Sequence, residues 1–247
     1  MRELIGVLGV VFSLGALWTG AQVGHHFKAD MWGFLPPHYG YSAYFESAAL
    51  LCAPWWPAQA LCAVALGLST CRAAWVGAAF GWAFLGRSWA RWAALPFVLL
   101  FLVQFGASLK PTPFNDRVRQ QIWREAEAAI ATSPQGVGEG HFTPVVLGRS
   151  VGGYAHSDVL QAIVEDGWVA GGGLVLMYAV LLVLALLEAP RVIGATLLCL
   201  CVQSVVDNRL HYFPCATLWT TVWLWAAVRS AQERAAQAEE PGFLLPE

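Results

Sequence analysis

The chain has 247 residues, a net charge of −2 and a composition that is 57% hydrophobic and only 12% charged. Soluble globular domains carry about 25% charged residues, so lipid must be the solvent for much of this surface, as the mean hydropathy of +0.54 also says. That excludes an ordinary soluble enzyme, and the near-neutral balance gives no reason to expect nucleic acid as a partner.

A helical span needs about 20 mostly apolar residues. Apolar runs at 4–23, 42–54, 58–71, 73–87, 92–109, 167–187, 192–206 and 214–229 predict an all-α protein: a multi-pass transmembrane helical bundle of about six to eight spans with one large extracytoplasmic loop containing short helices. The first run has only Arg2 and Glu3 as flanking charges, and Gly24-His25-His26-Phe27 is unlike a cleavage site, so it reads as a retained span and not a cleaved leader. The second ends at Pro54-Trp55-Trp56-Pro57, a rigid turn with interfacial aromatics. Residues 58–87 fit either one long tilted helix or two short ones broken near 69–72. The stretch 110–166 holds most of the charge. Within it Val118, Ile122, Trp123, Ala126 and Ile130 recur at helical spacing and predict a helix over 115–130. A glycine-rich turn follows at 134–142, then a second helix over 156–165 that feeds the next span. The expected organisation is N-terminal spans over 1–109, the loop over 110–166, C-terminal spans over 167–229 and a polar cytoplasmic tail over 230–247.

The arginines set the orientation. Arg2, Arg87, Arg91, Arg191, Arg229 and Arg234 flank short loops and belong in the cytoplasm, which leaves the long loop outside. That loop carries Lys110, Arg117, Arg119, Arg124 and Arg149, and five outward cations beside a membrane call for an anionic ligand. The six cysteines lie in or beside apolar runs without zinc spacing, so they read as small packing residues, and no metal site or cofactor is expected.

Several residues stand out chemically. Arg72 lies inside an apolar stretch, where a guanidinium is costly and therefore a functional candidate; an interfacial arginine that snorkels to water is the other reading. Arg117 and Arg124 share a helix face, which suits either a phosphate clamp or a solvated face paired with Glu125 and Glu127. The alternate glycines Gly136, Gly138 and Gly140 match no nucleotide-binding fingerprint, and such a run is more often a tight turn than a binding loop. His156, at the expected membrane surface, is suited to proton transfer, although a lone loop histidine is usually a surface residue. Asp207, Arg209 and His211 cluster between the last two spans, on the same side.

In their order these motifs resemble the O-antigen ligase and O-antigen polymerase superfamily of membrane glycosyltransferases. The likeness rests on Gly33-Phe34 with His38 and Ala43-Tyr44; on Ser69-Thr70-Cys71-Arg72-Ala73-Ala74, with two residues between Ser and Arg where the family has none; on Arg119 and Trp123; on the turn from Pro134 through Gly136, Val137, Gly138 and Gly140 to Phe142; and on His156-Ser157 followed after nine residues by Gly167, with Leu160, Gln161 and Glu165 in place. It covers roughly residues 30–230. Family members have more spans ahead of this region, so the chain looks like the short catalytic half. The resemblance implies transfer of a glycan from a polyprenyl-pyrophosphate donor to a sugar hydroxyl, on a lipid A core or a second lipid-linked glycan, with inversion and without a metal. It implies a bacterial inner membrane location with the site on the extracytoplasmic side. His156, Arg119 and Arg72 become the expected catalytic residues. Arg117, Arg149, Arg209 and Ser157 become the expected substrate-binding ones, the three arginines otherwise pairing with loop carboxylates. The missing spans leave a second expectation open: a non-catalytic relative that binds the lipid-linked donor or modulates a full-length enzyme, with a partner supplying those spans.

Overall fold

The computed structural model describes residues 1–23, 41–68, 71–85, 113–146, 148–150, 154–206 and 213–239. The protein is all-helical. Helix α1 runs Arg2–Val23, α2 Tyr41–Cys52, α3 Trp56–Leu68, α4 Arg72–Phe84, α5 Pro113–Thr132, α6 Asp158–Glu188, α7 Arg191–Val206 and α8 Phe213–Glu239. A small antiparallel hairpin joins β1, Val145–Val146, to β2, Arg149–Ser150; strands of two residues are too short to show the alternation that marks a strand in sequence. Of the predicted spans, the one over 92–109 lies outside the described residues. The ambiguity over 58–87 resolves into two helices, with Cys71 in extended backbone between them.

Among the described residues α1, α3, α4, α7 and α8 pack against α2, whose residues from Ala43 to Ala53 are all buried, and α6 packs on α7. Neighbours alternate in direction. Arg2 Nε donates to the carbonyl of Cys52 at 2.9 Å, which ties the start of α1 to the end of α2, and Phe12 stacks on Phe45 with ring centroids 4.4 Å apart. Helix α4 runs antiparallel to α7: the backbone of Gly77 backs onto Cys199 and Gln203, and that of Gly81 onto Ala195. Trp75 fixes α4 to α3 by donating from Nε1 to the carbonyl of Leu66 at 2.6 Å. Arg234 pairs with Glu188.

These contacts sort the charges by end. Arg2, Arg191 and the Glu188–Arg234 pair lie at one end of the bundle. The start of α4 at Arg72, the close of α7 and the break in α6 lie at the other.

Helix α6 takes in both the helix expected over 156–165 and the span expected over 167–187, with a break between them. Gly167, with φ +79° and ψ 176°, breaks it into a short arm over 158–166 and a long arm over 168–188. Among the described residues α6 is the helix long and apolar enough to cross a membrane; its long arm alone extends roughly 30 Å. The outward face of that arm is apolar, with Val169 91% and Leu187 77% exposed. On α1, Leu4, Val7, Val11, Leu14 and Trp18 form a second exposed stripe at alternating intervals of three and four. By contrast α2, with 12 residues, and α3 and α4, with 13 each, are roughly 18–20 Å long, short of a hydrocarbon layer of about 30 Å.

Trp75 is 1% exposed, so replacing it with alanine opens a cavity and removes an indole hydrogen bond. Trp75→Ala is expected to cost about 3–5 kcal/mol, seen as a lower midpoint in fluorescence-detected thermal melts of the purified protein. Leu187→Ala, on the exposed face, should leave that midpoint within error.

Candidate functional site

A second, smaller core sits at the Arg72 end of the bundle. Ile122, Ala126 and Ile130 of α5 meet Phe142, Val146, Ala155 and Val164. This cap is built from 113–166 alone and carries most of the singled-out residues.

Its junction with the bundle is a docked glycine turn. After α5 ends, the chain turns at Pro134 and presents backbone N–H groups to the last turn of the short arm of α6. Val137 N donates to the carbonyl of Val164 and Gly138 N to that of Glu165, each at 2.9 Å. Trp168 N returns a bond to the carbonyl of Pro134 at 3.0 Å. Gly140 N donates to Glu165 Oε1 at 2.9 Å. A helix end leaves carbonyls without intrahelical partners, and here the turn supplies the donors. The two backbones lie so close that a Cβ on Gly136 (φ +93°) would overlap Glu165 and Gly167, while one on Gly167 would overlap Pro134 and Gln135. Both positions therefore demand glycine on two grounds, space and a left-handed backbone. The turn is a splice: the N–H groups a phosphate would need are already donated into α6.

The splice holds His156 in place. Ser157 is the N-cap of α6, and its hydroxyl accepts from Leu160 N at 3.3 Å. Just before it, Ala155 is gripped from two sides: its N–H donates to Gln161 Oε1 at 2.6 Å and its carbonyl accepts from Trp123 Nε1 at 2.8 Å. Between these fixed points His156 takes φ +52°, the one non-glycine residue with positive φ among the described residues. Such a backbone costs about 1–3 kcal/mol and persists only where its surroundings impose it. The imidazole is partly exposed. Ser157, expected to touch substrate, is buried and committed to the cap.

Arg119 lies one turn before Trp123, on the same helix face, and is partly buried. That face carries Ile122 and Ala126 into the cap core and brings Trp123 to Ala155, with Arg119 on the same side of the helix. Arg124 lies off it and is exposed. Arg72 opens α4 at the same end of the bundle, and Arg149 pairs with Val146 across the hairpin. Nothing further is described for the side chains of Arg72, Arg117 and Arg149, and Arg209, Asp207, His211 and Gly33 to His38 lie outside the described residues. The cysteines whose side chains are described are free, and all but Cys201 are buried. Among the described residues no group of three or more His, Cys, Asp or Glu has the spacing to hold a metal.

Two features escaped the sequence reading. Glu46 is fully buried in α2, and neither carboxyl oxygen has a hydrogen-bond partner among the described residues; the signal was there, an acid inside an apolar run. The other is a cavity of about 510 Å³ inside the bend of α6, with Glu139, Asp158, Glu165 and Asp166 at one end and Tyr178 and Trp219 at the other.

No family model, no characterised protein and no solved structure matches this chain.

Gly167→Ala should unseat the turn and shift His156, lowering stability by well over the roughly 1 kcal/mol of an ordinary glycine-to-alanine change. Gly140→Ala has φ +71° but open space and should cost only about 1–2 kcal/mol. Trp123→Phe, which keeps the ring and loses the bond to Ala155, should cost about 1 kcal/mol. Thermal melts of the three variants against the parent check that order.

Proposed function

We propose that this chain is a multi-pass protein of the bacterial cytoplasmic membrane and a glycosyltransferase of the O-antigen ligase or polymerase type. The observation that carries the reading is convergence at one end of the bundle. The start of α4 at Arg72 lies at the same end of the bundle as the cap, in which Trp123 of α5 bonds to the residue before the strained His156, next to the broken helix whose long arm bears an apolar face. Trp123, the glycine turn and the His156 to Gly167 interval each have a structural reason for their spacing: Trp123 bonds to Ala155 beside His156, and the turn docks against Gly167.

Lipid is the partner that exposed apolar faces on both α1 and the long arm of α6 call for, because soluble monomers seldom expose contiguous apolar patches above a few hundred Å². The short helices α2 and α4 are largely covered by their neighbours, α3 is covered on one side, and the three complete the bundle without each crossing alone. The end holding Arg2, Arg191 and Arg234 faces the cytoplasm, and the cap faces outward.

The chemistry is one displacement. An acceptor sugar hydroxyl attacks the anomeric carbon of the donor from the face opposite the polyprenyl pyrophosphate. The new C–O bond forms as the bond to the pyrophosphate oxygen breaks, and the phosphate takes the electron pair. The hydroxyl proton passes to the imidazole of His156. Arg119 and Arg72 hold the negative charge that grows on the leaving group, and no metal is required. A site at the bilayer surface suits a donor whose lipid stays in the membrane. The second reading is a non-catalytic relative that holds the lipid-linked donor beside a full-length enzyme.

Two measurements test this. The expressed chain should stay in the membrane pellet through alkaline carbonate extraction and leave it only with detergent; release by carbonate would overturn the membrane reading. In its native host, or in a strain with a compatible donor that lacks either the ligase or the polymerase, the chain should restore lipopolysaccharide ladders, and the strain rescued separates the two acceptors. His156→Ala and Arg119→Ala should lower ladder formation by about 100-fold or more at unchanged expression. Unrescued strains together with altered chain lengths in a ladder-forming strain would favour the modulator.

A further inference from the structure

The cavity of about 510 Å³ inside the bend of α6 has an apolar half walled by three helices. Leu174, Tyr178 and Leu182 recur every four residues along the long arm, Cys201 and Val205 come from α7, and Trp219 comes from α8. Tyr178 meets Trp219 edge to face, with ring centroids 4.6 Å apart. Leu174 and Val205 line the cavity and are also exposed, at 36% and 54%. The cavity therefore borders the apolar surface that the membrane reading puts in lipid.

Two buried polar groups on these walls have no hydrogen-bond partner among the described residues. One is the indole N–H of Trp219, a residue 7% exposed. The Cys201 thiol lies beside it, but it is a weak acceptor and outside hydrogen-bond geometry. The other is the hydroxyl of Ser204, a residue 6% exposed. A hydroxyl in an apolar helix can turn back on its own backbone, as Thr196 does by donating to the carbonyl of Val192 at 2.8 Å. Ser204, about two turns further along α7, does not. Buried polar groups are nearly always paired, so an occupant that bonds to both completes the site. An indole N–H can only donate. The occupant must therefore bring an acceptor oxygen, to which the Ser204 hydroxyl can donate as well, and the surrounding walls require that oxygen to sit on an apolar body.

Depth narrows the choice. Ser204 lies in the last turn of α7, at the cap end of the bundle, which the reading above sets at the outer face of the bilayer. Where headgroups give way to hydrocarbon, the acyl ester is the group that joins an acceptor carbonyl to an apolar chain. We propose that this cavity binds an acyl-ester lipid of the bilayer, its ester carbonyl accepting from Trp219 Nε1 and Ser204 Oγ and its acyl chain lying along Leu174, Tyr178 and Leu182. The ester is the recognised group, whichever headgroup carries it. Such a site rests on the membrane reading above and is independent of the glycosyltransferase one.

The test places the full chain in nanodiscs of either diester phosphatidylcholine or its diether analogue, which lacks the carbonyls. Each carries a trace of diester phosphatidylcholine with a photoreactive diazirine in one acyl chain. Tandem mass spectrometry reads cavity label, at Tyr178, Cys201 or Trp219, against annular label on the exposed stripe of α1. The diether matrix competes poorly for a carbonyl site, so cavity label there should exceed that in the diester matrix by about tenfold or more, while the annular label stays equal in the two. Trp219→Phe and Ser204→Ala should each lower that ratio about fivefold, one hydrogen bond's worth, and the double variant should bring it close to one. Ala179→Trp, which fills the cavity, should abolish the cavity label, with folding of every variant checked by fluorescence-detected size exclusion. A parent ratio of one would overturn the inference, because water or a lipid held without its carbonyl would then satisfy the two donors. Cavity label that survives Ala179→Trp would overturn it too. Release of the chain by carbonate would sink the membrane reading, whereas a chain kept in the pellet with a ratio of one would sink this inference alone.

Discussion

The mutual docking of a glycine turn and a helix break holds this structure together. Carbonyls at the end of the short arm of α6 receive the N–H groups of Val137 and Gly138, and the carbonyl of Pro134 receives that of Trp168. The two backbones approach so closely that neither Gly136 nor Gly167 has room for a side chain. Everything at the working end follows from that contact. It sets where the short arm begins, hence where Ser157 caps it and where His156 must take its left-handed turn. It also sets the angle at which the long arm departs, and so opens the cavity between the arms.

The bundle below is held by different physics. Small residues let α4 and α7 press backbone to backbone, and a stacked Phe12–Phe45 pair fastens α1 to α2. Polar groups inside are few. Gln203 donates to Ser47 across 2.9 Å and links α7 to α2, while the carboxyl of Glu46 has no hydrogen-bond partner among the described residues. A lone carboxyl inside an apolar bundle is costly unless protonated or occupied in function, so the interior of α2 is not mere filler.

Much of this was legible in the residues. The helical period of Val118, Ile122, Ala126 and Ile130 placed α5 over 115–130, and the helix spans 113–132. Apolar runs gave the described bundle helices to within a few residues, except that α8 runs on to Glu239 through a stretch read as polar tail. The boundary at Gly167 was legible, with one helix expected to end at 165 and the next to start at 167, but the sharp turn there was not. Gly167 begins an apolar run with no proline to signal an end, and its left-handed backbone is imposed by Pro134 and Gln135, more than 30 residues earlier. The cavity was hidden for the same reason: Asp158, Ser204 and Trp219 share no local pattern, and only the fold brings them around one space. The roles expected of Arg72, Arg117 and Arg149 depend on side-chain placement that spacing cannot supply.

The cap also has a bearing on the order in which the chain takes shape. Ile122, Phe142, Ala155 and Val164 all fall within one contiguous stretch, and none of their partners in that small core comes from the bundle. Contacts so local in sequence close quickly. The cap can therefore condense as soon as residue 168 is available to lock the turn, while α7 and α8 are still being made. The cap would then be finished before the bundle is, leaving the last two helices to be assembled against a surface that already exists.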